Sequence, residues 1–247
     1  KYPFIMADAI YVKVREDHRI RSKALFVAVG INTSGHKEII GFDIYDTESE
    51  STWKEFFEGL KSRGLRDVDI ITSDAHTGLV AAIKESFVGA SWQRCQAHLR
   101  RNILSRCPKR FMAGLSSELT DMFNSSTIGE ARRLKDTICE EYKDSAKDSM
   151  AILDSGFEDS MIIMALPSKY RKSLRTSNTI ERENREIRRR EKVIQIFPNS
   201  ASVIRLIGAV LLDDHNDWTT LPRLFDMKDY YEKRTSIMIK IQSGNAA

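Results

Sequence analysis

The sequence predicts an α/β fold, a mixed sheet of an antiparallel three-strand meander plus parallel strands, interrupted by an all-α insertion. Three observations carry this reading. Three β-like runs separated by short turns fill the segment from Ile5 to Tyr45. A short buried strand then ends in an acidic residue just before a helix, and from Pro108 to Leu166 the β signal gives way to helical periodicity.

The strands come first. Ile5 to Val14 alternates, with Ile10, Val12 and Val14 on one side and Tyr11, Lys13 and Arg15 on the other. Glu16-Asp17-His18 makes a turn, Arg21 to Ile31 is apolar and β-branched, Asn32-Thr33-Ser34-Gly35 makes a second turn, and Lys37 to Tyr45 is a third strand. Glu48 to Ser62 places Trp53, Phe56, Phe57 and Leu60 at helical i, i+3, i+4, i+7 spacing and closes at Gly64. Val68 to Thr72 is a buried strand, Thr77 to Phe87 a helix, Ala90 to Gln93 a further strand and Cys95 to Leu104 a helix. Leu115 to Phe123, Ile128 to Tyr142 and Met150 to Ala165 read as the helices of the insertion. Asn199 to Trp218 is apolar on most sides and is expected to pack against the sheet. The boundaries are therefore drawn at 1–107, first part of the core; 108–168, helical insertion; 169–220, second part of the core; and 221–247, a C-terminal tail.

At 247 residues the chain can bury one large core or two modest ones. The net charge of +4 is too small to name a partner, but it is unevenly spread. Residues 171–192 hold nine basic and four acidic side chains, a surplus of five that exceeds the surplus of the whole chain. Cys95, Cys107 and Cys139 are odd in number and irregularly spaced, which argues against a secreted disulfide framework and for a reducing interior. No apolar run approaches the roughly 20 residues of a membrane helix. The opening residues enter a strand pattern at once, without a signal-peptide h-region, and read as a chain cut from something longer.

Three acidic residues are the first candidates for chemistry. Asp8 shares the face of Ile10 and Val12, where a carboxylate is costly unless paired or metal-bound; the alternative is a solvated strand-edge residue. Asp74 stands at a strand end before a helix, where ligands of α/β sheets gather, but Ser73 and Asp74 are also good helix caps. Glu181 follows Asn178 at capping-box spacing and shares a helical face with Asn184, Arg185 and Arg188. It reads either as a structural ion pair or as a metal ligand beside phosphate-binding arginines. Cys95 and His98 form C-x-x-H, and even with Cys107 they fall short of a four-ligand zinc site. His76 reads as a polar residue at a helix start.

Four blocks occur in order: Asp8-Ala-Ile-Tyr-Val-Lys-Val-Arg, Thr72-Ser-Asp-Ala-His-Thr-Gly-Leu79, Trp92-Gln-Arg-Cys-Gln-Ala-His-Leu99, and Ser177-Asn-Thr-Ile-Glu-Arg-Glu-Asn-Arg-Glu-Ile-Arg-Arg-Arg190 followed by Ile196-Phe-Pro-Asn199. Together they resemble the mutator-type transposases of the bacterial IS256 family, from about Ile5 to Trp218. Thr77, Ser177 and Glu183 depart from the usual family residues, and none of these departures removes a presumed ligand.

The resemblance implies an RNase H-like catalytic core with an all-α insertion between the second Asp and the Glu of a DDE triad. By motif position the triad is Asp8, Asp74 and Glu181, with Glu183 and Glu186 as neighbouring competitors for the third place. It implies Mg²⁺ or Mn²⁺, two ions, held by these carboxylates, because hard oxygen ligands suit such ions in an in-line phosphoryl displacement. Water cleaves the strand at the element end, and the freed 3′-hydroxyl then attacks target DNA. Arg175, Arg182, Arg185, Arg188, Arg189 and Arg190 are the expected phosphate contacts, and Cys95 and His98 support the site. The implied partners are double-stranded DNA and a second copy of the chain as a homodimer, in a cytoplasmic, nucleoid-associated setting with no membrane. The rivals are an RNase H-like nuclease that cuts without joining, and an inactive remnant that binds DNA through its basic helix.

Overall fold

The computed structural model describes residues 1–243, with the backbone alone at 178 and 179. The chain divides into two compact units, one of residues 1–92 with 177–227 and the other of residues 93–176 with the stretch from 228 onward. Among the described residues no helix is long and apolar enough to cross a membrane.

The first unit is built on the sheet. β1 (Phe4–Glu16), β2 (Arg19–Ile31) and β3 (Lys37–Tyr45) form the antiparallel meander, β4 (Ile70–Ser73) lies parallel to β1, and β5 (Ser91–Arg94) completes the order β3-β2-β1-β4-β5. Asp17 and His18 both take positive φ, 47° and 61°, as the two-residue hairpin between β1 and β2 requires for its twist. α1 (Glu50–Ser62) and α2 (Thr77–Ser86) cover one face. There Trp53, Phe56, Phe57 and Leu60 pack with Leu79, Ala82 and Ile83 against Ile5, Ala7, Phe26 and Ile71. Trp53 stacks on Phe26 with ring centroids 3.7 Å apart. Burying aromatics of this size stabilises a fold by about 1.5–3 kcal/mol each.

α8 (Asn178–Ile194) and α9 (Ser200–Thr220) lie against the strands through other residues. α9 starts at the capping box of Asn199 and Ser202 and buries Val203, Ile207 and Leu211, as its apolar pattern predicts. Gly208 lets it close on β3, since a Cβ there would come within 2.9 Å of the Phe42 ring. The chain after α8 returns to β1, where Phe197 exchanges backbone hydrogen bonds with Lys13 and Arg15, each 2.8 Å.

The second unit is helical: α3 (Gln96–Ser105), α4 (Met112–Phe123), α5 (Ile128–Tyr142), α6 (Lys147–Ser160), α7 (Ser168–Leu174) and α10 (Lys228–Gln242). Its extent differs from the 108–168 drawn from sequence. Gln93 and Gln96 reach forward to it, both donating to the Ser160 carbonyl at 2.7 and 2.8 Å, and the Gln93 side-chain oxygen accepts from the Ile163 amide at 2.8 Å. Those bonds occupy backbone groups that a continuing α-helix would pair. The helix expected over Met150–Ala165 accordingly stops at Ser160, and a 3₁₀ turn spans Ile162–Ala165. The expected tail also carries order, because α10 buries Tyr230, Ile237 and Ile241 and sets Tyr230 edge-on to Tyr170 at 6.2 Å.

Candidate active site

Asp8, Asp74 and Glu181 all belong to the sheet-bearing unit. Phe4, Ile5 and Met6 of β1 stand opposite Ile70, Ile71 and Thr72 of β4. Asp8 and Asp74 are therefore in step, each two residues beyond the last paired rung, Asp8 still within β1 and Asp74 just past the end of β4. The crevice beyond the carboxyl end of β4 is where α/β sheets place ligands.

Asp8 is 8% exposed, so the solvated strand-edge alternative does not hold. Its Oδ2 accepts a 2.8 Å hydrogen bond from Asn184 Nδ2 on α8. Asn184 is itself buried, and its Oδ1 has no hydrogen-bond partner.

The capping alternatives also change. The N-cap of α2 is His76, whose Nδ1 accepts from the Leu79 amide at 3.4 Å, so neither Ser73 nor Asp74 caps that helix. Asp74 instead accepts the His76 backbone N–H on Oδ1 at 3.1 Å. Ser177 holds the N-cap position of α8, and its carbonyl accepts the first helical hydrogen bond from the Glu181 amide at 2.9 Å. Glu181 is thus the fourth helical residue, one beyond the capping-box position, and the Asn178 side chain lies outside what is described.

α8 divides more sharply than its sequence face suggested. Ile180, Glu183, Asn184 and Ile187 are buried, while Arg182, Arg185, Arg188, Arg189 and Arg190 are exposed. Asn184 therefore parts from Arg185 and Arg188, and half-buried Glu181 marks the boundary between the two sides. The competing glutamates are engaged elsewhere. Burial and the Asp214 carboxyl push Glu183 up to about 8, while Glu186 binds Arg189 and Arg190 at 2.8 and 2.9 Å.

Arg175 stands apart from these arginines. It belongs to the helical unit, where its Nη1 donates to the Phe123 carbonyl and to Asn124 Oδ1, both at 2.9 Å, closing the carboxyl end of α4. Burial lowers its pKa from the ordinary value. Cys95 and His98 also lie in the helical unit, with Cys95 buried at the N-cap position of α3.

One carboxylate absent from the sequence candidates borders the site. Glu48, just before the N-cap of α1, has a side chain only 11% exposed; its Oε1 lies 3.2 Å from Trp53 Nε1 and 3.5 Å from His76 Nδ1. Burial raises its pKa, with His76 opposing the shift and Asp74 adding to it. An acid one residue before a helix cap reads in sequence as a solvated helix start, and only Trp53 five residues later hints otherwise.

Among the described residues, no three His, Cys, Asp or Glu side chains are gathered closely enough to hold a metal ion. What the site offers is a pair of aspartates in step, a buried amide docked on one of them, and a third acid on the docking helix.

Residues 1–220 match the model of the Mutator family of transposases. The chain belongs to that family. It is 47% identical over 219 residues to the transposase of insertion sequence IS256 in transposon Tn4001 of Staphylococcus aureus, covering 88% of this chain and 56% of that protein. The transposase of ISRM5 from Rhizobium meliloti is 34% identical over 94% of the chain and 58% of its own length, and that of IS1081 from Mycobacterium tuberculosis 36% identical over 88% and 52%. The chain thus spans a little over half the length of these Mutator-family relatives, and the match to the family model ends with α9.

Proposed function

We propose that this chain is the catalytic core of a DDE transposase of RNase H-like fold, cleaving DNA strands and joining them to target DNA with Asp8, Asp74 and Glu181 as its acidic triad. The observation that carries this reading is the Asn184-to-Asp8 hydrogen bond, which fixes the helix bearing Glu181 to the strand bearing Asp8. Family membership and the relatives' transposase names agree with it.

The donor set suits Mg²⁺ or Mn²⁺. Carboxylate oxygens are the hard ligands these ions prefer, and the unpartnered Asn184 Oδ1 is a buried acceptor that an ordered water would satisfy. Asp8, Asp74 and Glu181 would hold the ions, two by our reading. When bound, they supply stabilisation of the entering and leaving oxygens in an in-line displacement. Three carboxylates repel one another without a cation between them, so an open arrangement is what electrostatics favours for the chain alone.

The remaining work falls to side chains of known placement. Asn184 holds the Asp8 carboxylate, the His76 amide holds that of Asp74, and the exposed arginines of α8 engage phosphates without reading sequence. Joining two element ends calls for two sites, hence a homodimer acting on double-stranded DNA.

A strand-transfer reaction with pre-cleaved ends, target DNA and Mg²⁺ tests the reading. Joined product that disappears in Asp74→Asn supports it. Cleavage without joining would indicate a hydrolytic nuclease, and salt-sensitive DNA binding without any chemistry would indicate an inactive remnant.

A further inference from the structure

The helical unit contains a cleft of about 600 Å³, bordered by the first turn of α5, the chain leading into α7, and α10. That is the size of a small-molecule site, and such sites combine an apolar lining with a few polar groups that fix orientation. Ile128, Met164 and Ile237 contribute to an apolar floor, and Arg171, Lys233 and Lys240 supply positive charge. Among the described residues, no Asp or Glu lines it.

Arg171 has no carboxylate to answer its charge. Its Nε donates to the Leu166 carbonyl at 2.7 Å and its Nη1 to the Ser126 carbonyl at 2.9 Å, and among the described residues it forms no ion pair. The side chain is partly buried, and burial alone lowers its pKa from the ordinary value. A cation withdrawn from water onto neutral acceptors is costly, and an anion beside it would offset that cost.

α10 brings two more cations to the same place. Lys233, Ser236, Ile237 and Lys240 recur at i, i+3, i+4 and i+7, so one stripe of the helix faces the cleft. The acids of α10 have other partners: Asp229 pairs with Lys169 at 2.5 Å and Glu232 with Lys228 at 3.9 Å. Lys233 and Lys240 are exposed and, among the described residues, form no ion pair. Glu130, in the first turn of α5, is engaged by the Ser126 amide, which donates to its Oε2 at 2.8 Å.

We propose that this cleft binds a single nucleotide, its phosphate held by Arg171, Lys233 and Lys240 and its ring laid on Ile128, Met164 and Ile237. The assignment of the acidic triad plays no part in it. Arg171 spends Nε and Nη1 on the two carbonyls and on the Met164 sulfur at 3.7 Å, which leaves Nη2 for a phosphate oxygen. A bare inorganic anion would use the cations and leave the apolar floor uncovered; a ligand with a ring body uses both. The same chemistry serves a free nucleotide and a nucleotide unit of a DNA strand.

The test titrates the whole chain, isotope-labelled at its methionine methyl groups, with dAMP, inorganic phosphate and deoxyadenosine. The Met164 methyl signal, assigned with Met164→Leu, reports on the floor of the cleft. dAMP should shift it saturably and bind at least about tenfold more tightly than phosphate or deoxyadenosine, each of which makes only part of the contacts. Lys233→Gln/Lys240→Gln should weaken dAMP by about tenfold or more while thermal unfolding matches wild type, and Ser236→Trp, which obstructs the cleft, should abolish the shift. Arg171→Gln also loses the bonds to Ser126 and Leu166, so the exposed lysine pair decides the matter if that variant fails to fold. A Met164 signal unmoved by dAMP, phosphate binding as tightly as dAMP, or wild-type affinity in the lysine variant would overturn the proposal. A 5′-phosphorylated single-stranded oligonucleotide identifies the source: displacing dAMP at concentrations below the Kd of dAMP marks a unit of a DNA strand, failing to do so marks a free nucleotide, and both results support the site.

Discussion

Asn184 and Asp8, 176 residues apart in sequence, are joined by a 2.8 Å hydrogen bond from Nδ2 to Oδ2. Both side chains are buried, so the bond forms in a low-dielectric setting where a carboxylate depends on its donors. Asn184→Ala should slow strand cleavage about 10- to 100-fold, since a hydrogen bond to a charged group contributes about 1.5–3 kcal/mol. Asn184→Asp should do worse by setting a second carboxylate against the first. Single-turnover cleavage rates, with circular dichroism as a control for folding, decide this; a wild-type rate in Asn184→Ala would mean that Asp8 is held by other groups.

The outward arginines of α8 should act on DNA affinity, not on the chemical step. Replacing Arg182, Arg185 and Arg188 by Gln should reduce the slope of log K against log salt by about 0.9 for each phosphate no longer neutralised, equally for all sequences. Arg175→Gln should leave that slope unchanged, because its guanidinium closes α4 at Phe123 and Asn124. Its effect should appear as a loss of about 1 kcal/mol of stability. Fluorescence anisotropy titrations over a salt series read the slopes, and urea unfolding reads the stability.

Gly78 is a further point of control. A methyl group there would press on the backbone at Ser49 and Glu50, at 2.9 and 2.6 Å, so Gly78→Ala should destabilise by about 1–3 kcal/mol despite the better helix propensity of Ala. Urea unfolding measures the loss. Unchanged stability would show that the start of α2 yields at little cost.

In the helical unit, Tyr142 is buried and donates to Glu118 Oε1 at 2.9 Å, and burial with that bond lifts its pKa from 10.0 to about 12. Between about pH 10 and 12 the unfolded chain gives up a proton that the folded chain keeps, so this group lowers stability as pH rises through that window and has no effect below it. Tyr142→Phe should cost about 1 kcal/mol at pH 8 and less at pH 11. Urea midpoints of both proteins at the two pH values test this; a constant difference would contradict it.

Much of the fold is legible in the sequence where local pattern and burial coincide. The alternation from Ile10 to Arg15 and the spacing of Trp53, Phe56, Phe57 and Leu60 name their elements without help. The end of α6 is not legible, because it is set by Gln93 and Gln96, more than 60 residues away in sequence. α10 hides because its buried positions, Tyr230, Ile237 and Ile241, are too sparse to stand out among charged neighbours. At the site, the cost of a carboxylate on an apolar strand face singled out Asp8 and strand-end position singled out Asp74, but His76 took the cap that Asp74 was equally suited to by type. Glu48 escaped because its burial depends on Trp53 stacking on β2 and on the approach of α2 at Gly78.

The central claim is that Asp8, Asp74 and Glu181 act as one metal-dependent unit. The most direct measurement is the rate at which the chain resolves a branched DNA carrying already joined strands, a reaction that needs no recognition of element ends. The account predicts product with Mg²⁺ or Mn²⁺, none with a chelator, and a loss of about 10³-fold or more in each of Asp8→Asn, Asp74→Asn and Glu181→Gln, with no further loss in combination. Undiminished resolution in any one of the three variants, or in the presence of the chelator, would contradict it.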